Sequence, residues 1–305
     1  MATVIYLTRK NVLSNTMLTS WQVEDLEYVF RARFRFNTTI VALDASSRSQ
    51  HQMDRSLATF VEQNDGPRNL LIVYYTGHGT YREDQKHLEL CLEFGPRFQR
   101  RRGPPVNWQR CEDIPRSDEV DGDVLTILDT PHANKHFTNR MTEDNSPKRR
   151  INRTRRFELM ADFECNLTTS WPSKYSFTRV LTNALTALLD QNVCMPFPTF
   201  SLNQRIREDR LGFGRKPMLC SLLPSRNHIF LTPIRSATER AAQHQSEVKG
   251  YLKLGFEFID DSFSHAQIEK LIKKLAAIGD DAEIGLQGIE WLGFQVKHRS
   301  IIPFV

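Results

Sequence analysis

Two stretches of this sequence are apolar on both faces of any strand that they form. Residues 70–75 read LLIVYY, and residues 123–128 read DVLTIL. Such runs are typical of central strands in a parallel sheet that is covered on each side. Helix-like stretches alternate with the strand-like ones, at residues 21–34, 52–61 and 176–190. This order predicts an α/β fold with three α/β/α layers and a mostly parallel central sheet.

The remaining segments divide the chain into three parts. We expect the sheet domain to occupy residues 1–235, with residues 87–94 (HLELCLEF) as an accessory hairpin strand. Residues 236–250 are polar and are interpreted as a linker or an exposed helix. Residues 251–305 are predicted to form a C-terminal α+β extension.

Polar residues follow both central strands. In parallel sheets, sites form where the carboxyl ends of the strands meet. After the first strand the sequence continues TGHG, which leaves His78 sterically open between two glycines and Gly79 able to offer a backbone N–H to a ligand. The alternative is a loop histidine without chemistry, because a motif this short has many false positives.

The second strand continues with residues 129–134, DTPHAN. Two neighbouring strand ends that both carry polar, histidine-containing loops favour a shared cleft. The same residues also fit the start of a helix, with Thr130 as N-cap and Pro131 in the first helical position. Both interpretations stay open at this stage.

Together, the two segments resemble the caspase, metacaspase and paracaspase family of cysteine peptidases, and most of all its fungal caspase-like members. In that family a strand that ends YY-[AST]-GHG supplies the catalytic histidine, which corresponds to His78. The next core strand ends D-[CS]-C-[HY]-[AS]-G and supplies the nucleophilic cysteine. Weaker similarities in the same order extend over most of the chain, including residues 105–111 (PVNWQRC), 157–162 (FELMAD) and 176–178 (SFT). The resemblance implies a caspase-like fold over residues 1–235.

The resemblance also implies that the nucleophile is missing. Alignment on Asp129 puts Thr130 and Pro131 at the two positions before the family's [HY], and the second of these is the cysteine position. Proline carries no thiol and no backbone N–H, so it offers neither the attacking group nor the oxyanion donor that the family takes from that residue. Loss of one such donor alone typically costs about 2.7–4 kcal/mol of barrier. We therefore expect an inactive pseudopeptidase in which His78, Gly79, Asp129 and Thr130 line a binding cleft.

One alternative is an active cysteine endopeptidase with a displaced nucleophile. Thr130 is one position earlier, but its hydroxyl needs an independent activator, and strand alternation predicts that it points away from the cleft. The five cysteines, Cys91, Cys111, Cys165, Cys194 and Cys220, are interpreted as buried small hydrophobic residues. His132 and His136 are expected at the surface.

A further alternative is nucleic-acid binding, suggested by basic residues at 97–102 and 148–156 (KRRINRTRR). No nucleic-acid-binding motif accompanies them, so a solvated basic loop is favoured and nucleic acid is an unlikely partner. The expected partner is a peptide or protein, including an active relative in an oligomer. We expect no cofactor and no metal site, because the cysteines are scattered and lack ligand spacing. The absence of a long apolar run predicts no membrane span, and scattered cysteines favour a cytoplasmic protein.

Overall fold

The structure is a computed structural model, and it describes residues 1–9, 17–44, 47–91, 104–136, 138, 155–162, 176–192, 195–210, 217–223, 227–234, 270, 271 and 274. The chain divides into two compact units, Met1–Arg235 and Ser236–Val305. The predicted linker at 236–250 lies outside the described residues. So does the predicted α+β extension, apart from three helical residues, and both stay predictions.

The first unit alternates strands with helices. Its strands are β1 (Ala2–Arg9), β2 (Asn37–Leu43), β3 (Leu70–Thr76), β4 (His78–Arg82), β5 (His87–Cys91), β6 (Val106–Asn107), β7 (Asp123–Asp129), β8 (Phe157–Ala161), β9 (Phe197–Pro198), β10 (Met218–Ser221) and β11 (Phe230–Leu231). Its helices are α1 (Met17–Tyr28), α2 (Ser49–Asn64), α3 (Trp108–Arg116), α4 (Phe177–Gln191) and α5 (Thr199–Asp209). One π-helical turn, Val29–Arg33, continues α1 directly.

Six strands form the main sheet, in the order β10-β8-β7-β3-β1-β2. All neighbours are parallel except β10, which runs antiparallel to β8 at one edge. The two apolar runs of the sequence are the adjacent central strands β3 and β7, paired from Leu70 opposite Asp123 to Thr76 opposite Asp129. Every residue of β3 except the last is buried.

Helices cover both faces of this sheet, so the predicted α/β fold with a mostly parallel central sheet is confirmed. On one face Ile72 and Tyr74 pack in a core with residues of α1, α4 and α5. On the other face Leu71 and Val73 pack with residues of α2 and α3. Strand alternation divides the same continuous apolar run between two cores, which is why neither face of the run is polar.

Strands β4, β5 and β6 form a separate antiparallel sheet, which confirms the accessory hairpin predicted around residues 87–94. In this hairpin Gly79 pairs with Leu90 and His78 pairs with Cys91. Leu88 and Leu90 join the second core of the main sheet. Because alternate residues of a strand face opposite sides, His87, Glu89 and Cys91 lie on the other side of the hairpin.

Charged groups satisfy the backbone at the amino end of the main sheet, where the parallel strands begin. Asp65 accepts hydrogen bonds from the backbone N–H groups of Asp121, at 3.0 Å, and Gly122, at 2.8 Å. Burial alone would raise the pKa of Asp65, but these bonds and that of the Gly66 N–H hold it below its ordinary value. Arg156 forms an ion pair with Asp123.

Arg155 is buried beside this end and donates to the carbonyl oxygens of Pro115, Arg116 and Ser117 at 2.8–3.1 Å. Arg155 and Arg156 are therefore structural residues, although they close the basic run at 148–156. The rest of that run, and residues 97–102, lie outside the described residues. Two of the cations that suggested nucleic-acid binding are therefore engaged in contacts within the fold.

Candidate functional site

The predicted loops meet at the carboxyl end of the main sheet. Thr76 is in register with Asp129, and the backbone N–H of Gly77 donates to the carbonyl oxygen of Asp129 at 3.2 Å. The β3–β7 ladder thus continues to the first residue of the histidine loop. Gly77 has a φ of +158°, and a side chain there would lie 2.6 Å from the Tyr75 hydroxyl, so the turn into β4 requires glycine.

Gly79 joins the two loops directly. A Cβ at this position would strike the hydroxyl oxygen of Thr130 and lie 2.9 Å from the carbonyl oxygen of Pro131. Both of these atoms are closer than any ordinary Cβ contact. The backbone of β4 can therefore approach the end of β7 only because residue 79 has no side chain. The sequence predicted that Gly79, Thr130 and Pro131 share a site, and the structure brings them together.

Thr130 is buried and its hydroxyl lies close to Gly79, whereas strand alternation predicted a side chain that points away from the cleft. Alternation along β7 puts Thr130 on the same face as Leu128, which is the face covered by the hairpin of Gly79. Its hydroxyl has no hydrogen-bond partner among the described residues. It therefore does not cap a helix, and the helical residues begin only at Ala133, whose N–H donates to the Thr130 carbonyl.

Asp129 points to the opposite face and lies among hydroxyl groups. Its carboxylate accepts hydrogen bonds from the hydroxyls of Thr178, Thr76 and Tyr74. Burial and, after it, the nearby Asp162 carboxylate raise the pKa of Asp129, against the lowering effects of the Thr178 bond and of Arg210, and the net pKa is about 6. Arg210 itself is paired with Asp162 in the interior. Among the described residues, the hydrogen-bond donors to Asp129 are thus hydroxyl groups.

The backbone after Pro131 is strained. His132 has a φ of +63°, a conformation that costs free energy in a residue with a side chain. Its Nδ1 is buried and has no hydrogen-bond partner among the described residues. Burial lowers the pKa of His132, and the positive charge of Lys135 lowers it further. Strain and unsatisfied polar atoms at one loop are features that cluster at functional sites.

The two histidines after Pro131 are not the surface residues that we predicted. His132 is half-buried, and His136 is completely buried, with Nε2 3.2 Å from the carboxylate of Glu112 on α3. Glu112 is also fully buried. The chain becomes buried again at Ala133. His136 and Glu112, from two separate segments, then contact each other in the interior.

His78 occupies the first position of β4 and is half-buried. Its backbone carbonyl accepts a hydrogen bond from the Tyr75 hydroxyl at 3.2 Å. Its cross-strand neighbour is Cys91, the last residue of β5. Since Gly79 contacts the end of β7, strand alternation turns the adjacent His78 side chain toward the Cys91 side of the hairpin. No pattern in the sequence predicted that Cys91 would lie opposite His78.

The other described cysteines lie in different surroundings. Cys111 is fully buried on α3, where its thiol donates to Asp54 and accepts from Gln50. Burial and the charge of Asp54 raise the pKa of Cys111 far above its ordinary range. Cys220 lies on β10, opposite Leu159 of β8. The three described cysteines are buried, as predicted, whereas Cys165 and Cys194 lie outside the described residues.

Two expected absences concern metal ions and membranes. Within the described ranges, no group of three or more His, Cys, Asp or Glu side chains is arranged to hold a metal ion. In the same part of the chain, no helix has the length and apolar character that a membrane crossing requires. The expected cytoplasmic location stays a prediction.

Comparisons with known proteins give similarity in structure only. No protein-family model matches the chain, and no curated protein sequence does. The crystal structure of caspase-1 from Spodoptera frugiperda matches at 13% identity and a TM-score of 0.46, over 73% of this chain and 86% of that one. The Drosophila initiator caspase Dronc matches at 8% identity and a TM-score of 0.46, over 72% and 78%.

Proposed function

We propose that the chain is a caspase-like pseudopeptidase, which binds a peptide or protein partner at the carboxyl end of its main sheet without cleaving it. The proposal depends on the presence of a proline, Pro131, in the loop after β7. It follows β7, and its carbonyl oxygen lies close to Gly79; the family resemblance aligns it with the nucleophilic cysteine. An imide nitrogen and a pyrrolidine ring supply neither a thiolate nor a hydrogen-bond donor to a peptide carbonyl.

Two features of the same loops support binding. The Thr130 hydroxyl and the His132 Nδ1 are polar atoms that lack partners in the described part of the chain. A ligand that approaches the carboxyl end of the sheet supplies the partners that such atoms lack. In the caspase family an extended peptide adds beside the sheet, and we infer the same type of partner here. An active relative of this chain is a further candidate partner.

The first experiment measures peptide cleavage. The purified protein is incubated with Arg-, Lys- and Asp-directed fluorogenic peptides, with and without calcium, and we expect no turnover. The P131C variant restores a thiol at the aligned position, and we expect a peptidyl electrophile to label it at residue 131. Turnover by the unmodified protein would refute the proposal. Absence of labelling at residue 131 in a folded P131C variant would refute the assignment of the cleft.

The second experiment measures binding of the same peptides by fluorescence anisotropy. Gly79→Ala introduces a Cβ only 2.9 Å from the Pro131 carbonyl oxygen and must displace the loops, so we expect weaker binding. Phe200→Ala is the control, because Phe200 is exposed at the start of α5 beside His228, toward the amino end of the sheet. Equal loss of binding in both variants, or no binding by the unmodified protein, would contradict a site at the carboxyl end.

A displaced nucleophile is the second candidate, and one observation favours Cys91 for that role. It is the described cysteine that faces His78 across the hairpin. Labelling with a peptidyl electrophile followed by mass spectrometry separates the two proposals. Peptide turnover together with a single modified cysteine, both lost in H78Q, would establish an enzyme and remove the pseudopeptidase.

A further inference from the structure

We propose that Cys91 and His78 form a reactive thiol–imidazole pair, and that Cys91 is a site of covalent modification by small electrophiles. This inference does not depend on the pseudopeptidase. It requires no oxyanion hole and no peptide cleft, and it concerns the side of the β4–β5 hairpin opposite Gly79.

The geometry follows from the strand register. His78 and Cys91 are directly opposed in the antiparallel pair β4–β5. Side chains of directly opposed residues project to the same face, with Cβ atoms about 4.5–5.5 Å apart. A thiol and an imidazole that start from this separation are within reach of a hydrogen bond. The pair occupies the last rung of the hairpin, since β4 begins at His78 and β5 ends at Cys91.

One acid of this face lies close to the pair in sequence. Glu89 is on the same side of β5, two residues before Cys91. Its carboxylate lies 3.7 Å from Arg82 and 3.6 Å from His87, so cationic or polar groups of the same face offset its charge. An imidazole beside a thiol favours the thiolate, which is the reactive form of cysteine.

The chemical step balances within the pair and its electrophile. The proton leaves the Cys91 sulfur for the imidazole of His78. The sulfur then forms a bond to the electrophilic carbon of iodoacetamide, while the carbon–iodine bond breaks and iodide leaves with the electron pair. The imidazolium afterwards releases its proton to water. The product is a thioether at Cys91, and no oxidant or reductant takes part.

The chain offers a matched control. Cys220 is exposed to the same extent as Cys91, at 6%, but its neighbour across the sheet is Leu159. A difference in reactivity between these two thiols therefore does not arise from their exposure. Cys111 is a second reference, because it is completely buried and hydrogen-bonded to Asp54.

The experiment measures the labelling rate of each cysteine in the folded protein. The full chain is treated with limiting iodoacetamide, quenched, unfolded and digested, and each cysteine peptide is quantified by mass spectrometry. We expect Cys91 to react about tenfold faster than Cys220, because the residue opposite Cys91 is a histidine that can accept its proton, whereas the residue opposite Cys220 is Leu159. In H78Q, Cys91 should slow to the rate of Cys220, while Cys220 itself does not change.

A Cys91 rate at or below that of Cys220 would overturn the proposal, and so would a Cys91 rate that is unchanged in folded H78Q. If H78Q does not fold, the pH dependence of the unmodified protein decides. Labelling of Cys91 should persist below about pH 8.5, the ordinary thiol range, whereas Cys220 should lose reactivity in proportion to its thiolate. Parallel pH profiles would refute the pair. Rapid labelling without peptide turnover would leave this proposal standing and would remove the displaced nucleophile.

Discussion

At the amino end of the main sheet, the Asp65 carboxylate is bonded to backbone N–H groups, and Arg155 is bonded to three carbonyl oxygens. At the carboxyl end, Asp129 has only hydroxyl donors, and the Thr130 hydroxyl has no partner in the described chain. The pKa values follow the same division, since that of Asp65 is lowered and that of Asp129 is raised. The amino end thus pairs its charged groups with backbone partners, whereas the carboxyl end holds an acid with a raised pKa and a buried hydroxyl without a partner among the described residues.

The difference also shows in the glycines. A side chain at Gly122 would lie 2.9 Å from the Asn69 carbonyl oxygen and 3.1 Å from Asp65, inside a closed hydrogen-bonded turn. A side chain at Gly79 would meet Thr130, whose hydroxyl is unsatisfied. Glycine thus permits close approach at both ends, but only at the amino end do the approaching groups satisfy one another.

The largest effect is expected from Arg155→Ala. This change leaves the carbonyl oxygens of Pro115, Arg116 and Ser117 without the guanidinium that joins them. Hydrogen bonds to charged groups are worth about 1.5–3 kcal/mol each, so we expect the free energy of unfolding to fall by about 3 kcal/mol or more. Urea unfolding of the variant and of the unmodified protein measures this difference in the free energy of unfolding. Arg155→Lys keeps the charge but cannot span three acceptors, and it should recover only part of the loss.

Loss of less than about 1 kcal/mol in Arg155→Ala would contradict the structural role of this arginine. Arg155 would then again be a candidate cation of the basic run at residues 148–156. A salt-dependent loss of nucleic-acid binding in the same variant would support that reversal.

Asp129→Asn is expected to act in the opposite direction and to stabilise the protein. Burial raises the pKa of Asp129 from 3.8 to about 6, so the folded state holds this proton more tightly than the unfolded state does. The associated stability is fully present below about pH 4 and is lost as the pH rises through 6. The difference corresponds to about 3 kcal/mol at most, and we expect about 2 because the residue is half-buried.

Unfolding free energies measured at pH 4, 5, 6 and 7 test this prediction. The unmodified protein should lose stability across the window, whereas Asp129→Asn should lose less and be the more stable of the two at pH 7. The control is Asp65→Asn, which replaces one of the two carboxylate oxygens that accept from backbone N–H groups by an amide NH2 and should destabilise at pH 7. If Asp129→Asn destabilises as Asp65→Asn does, the two ends do not differ in the way that we describe.

The sequence alone predicted the two central strands and the meeting of the loops that follow them. The buried positions of residues 70–75 and 123–128 are apolar apart from Thr126, as is typical of parallel central strands, and the meeting of the two loops follows from that arrangement. The roles of His78, Gly79, Asp129, Thr130 and Pro131 came instead from a resemblance. Those roles stay predictions, although the structure brings Gly79 against Thr130 and Pro131.

The sequence did not reveal the pairing of His78 with Cys91, because a hairpin register depends on its turn. The turn at residues 83–86 contains Lys86 at a φ of +54°, without the glycine or asparagine that usually marks such a position. The burial of His136 against Glu112 was missed for a related reason. Polar residues in two separate segments give no periodic pattern, and only the fold reveals that they are partners.

The smallest effects are expected from a matched pair of threonines at the two ends. Thr130→Val removes a buried hydroxyl that has no partner among the described residues, and Thr199→Val removes a hydroxyl that donates to the buried Glu158. Both replacements conserve shape. Since an unsatisfied buried polar group costs about 1–3 kcal/mol, Thr130→Val should raise the free energy of unfolding by about 1 kcal/mol. Thr199→Val should lower it by about 1–2 kcal/mol, because it leaves a carboxylate oxygen without its donor.

Urea unfolding of both variants at one pH measures whether the two changes in the free energy of unfolding differ in sign. Opposite signs are expected if the Thr130 hydroxyl is unsatisfied in the folded protein, and destabilisation by both would mean that Thr130 is as structural as Thr199.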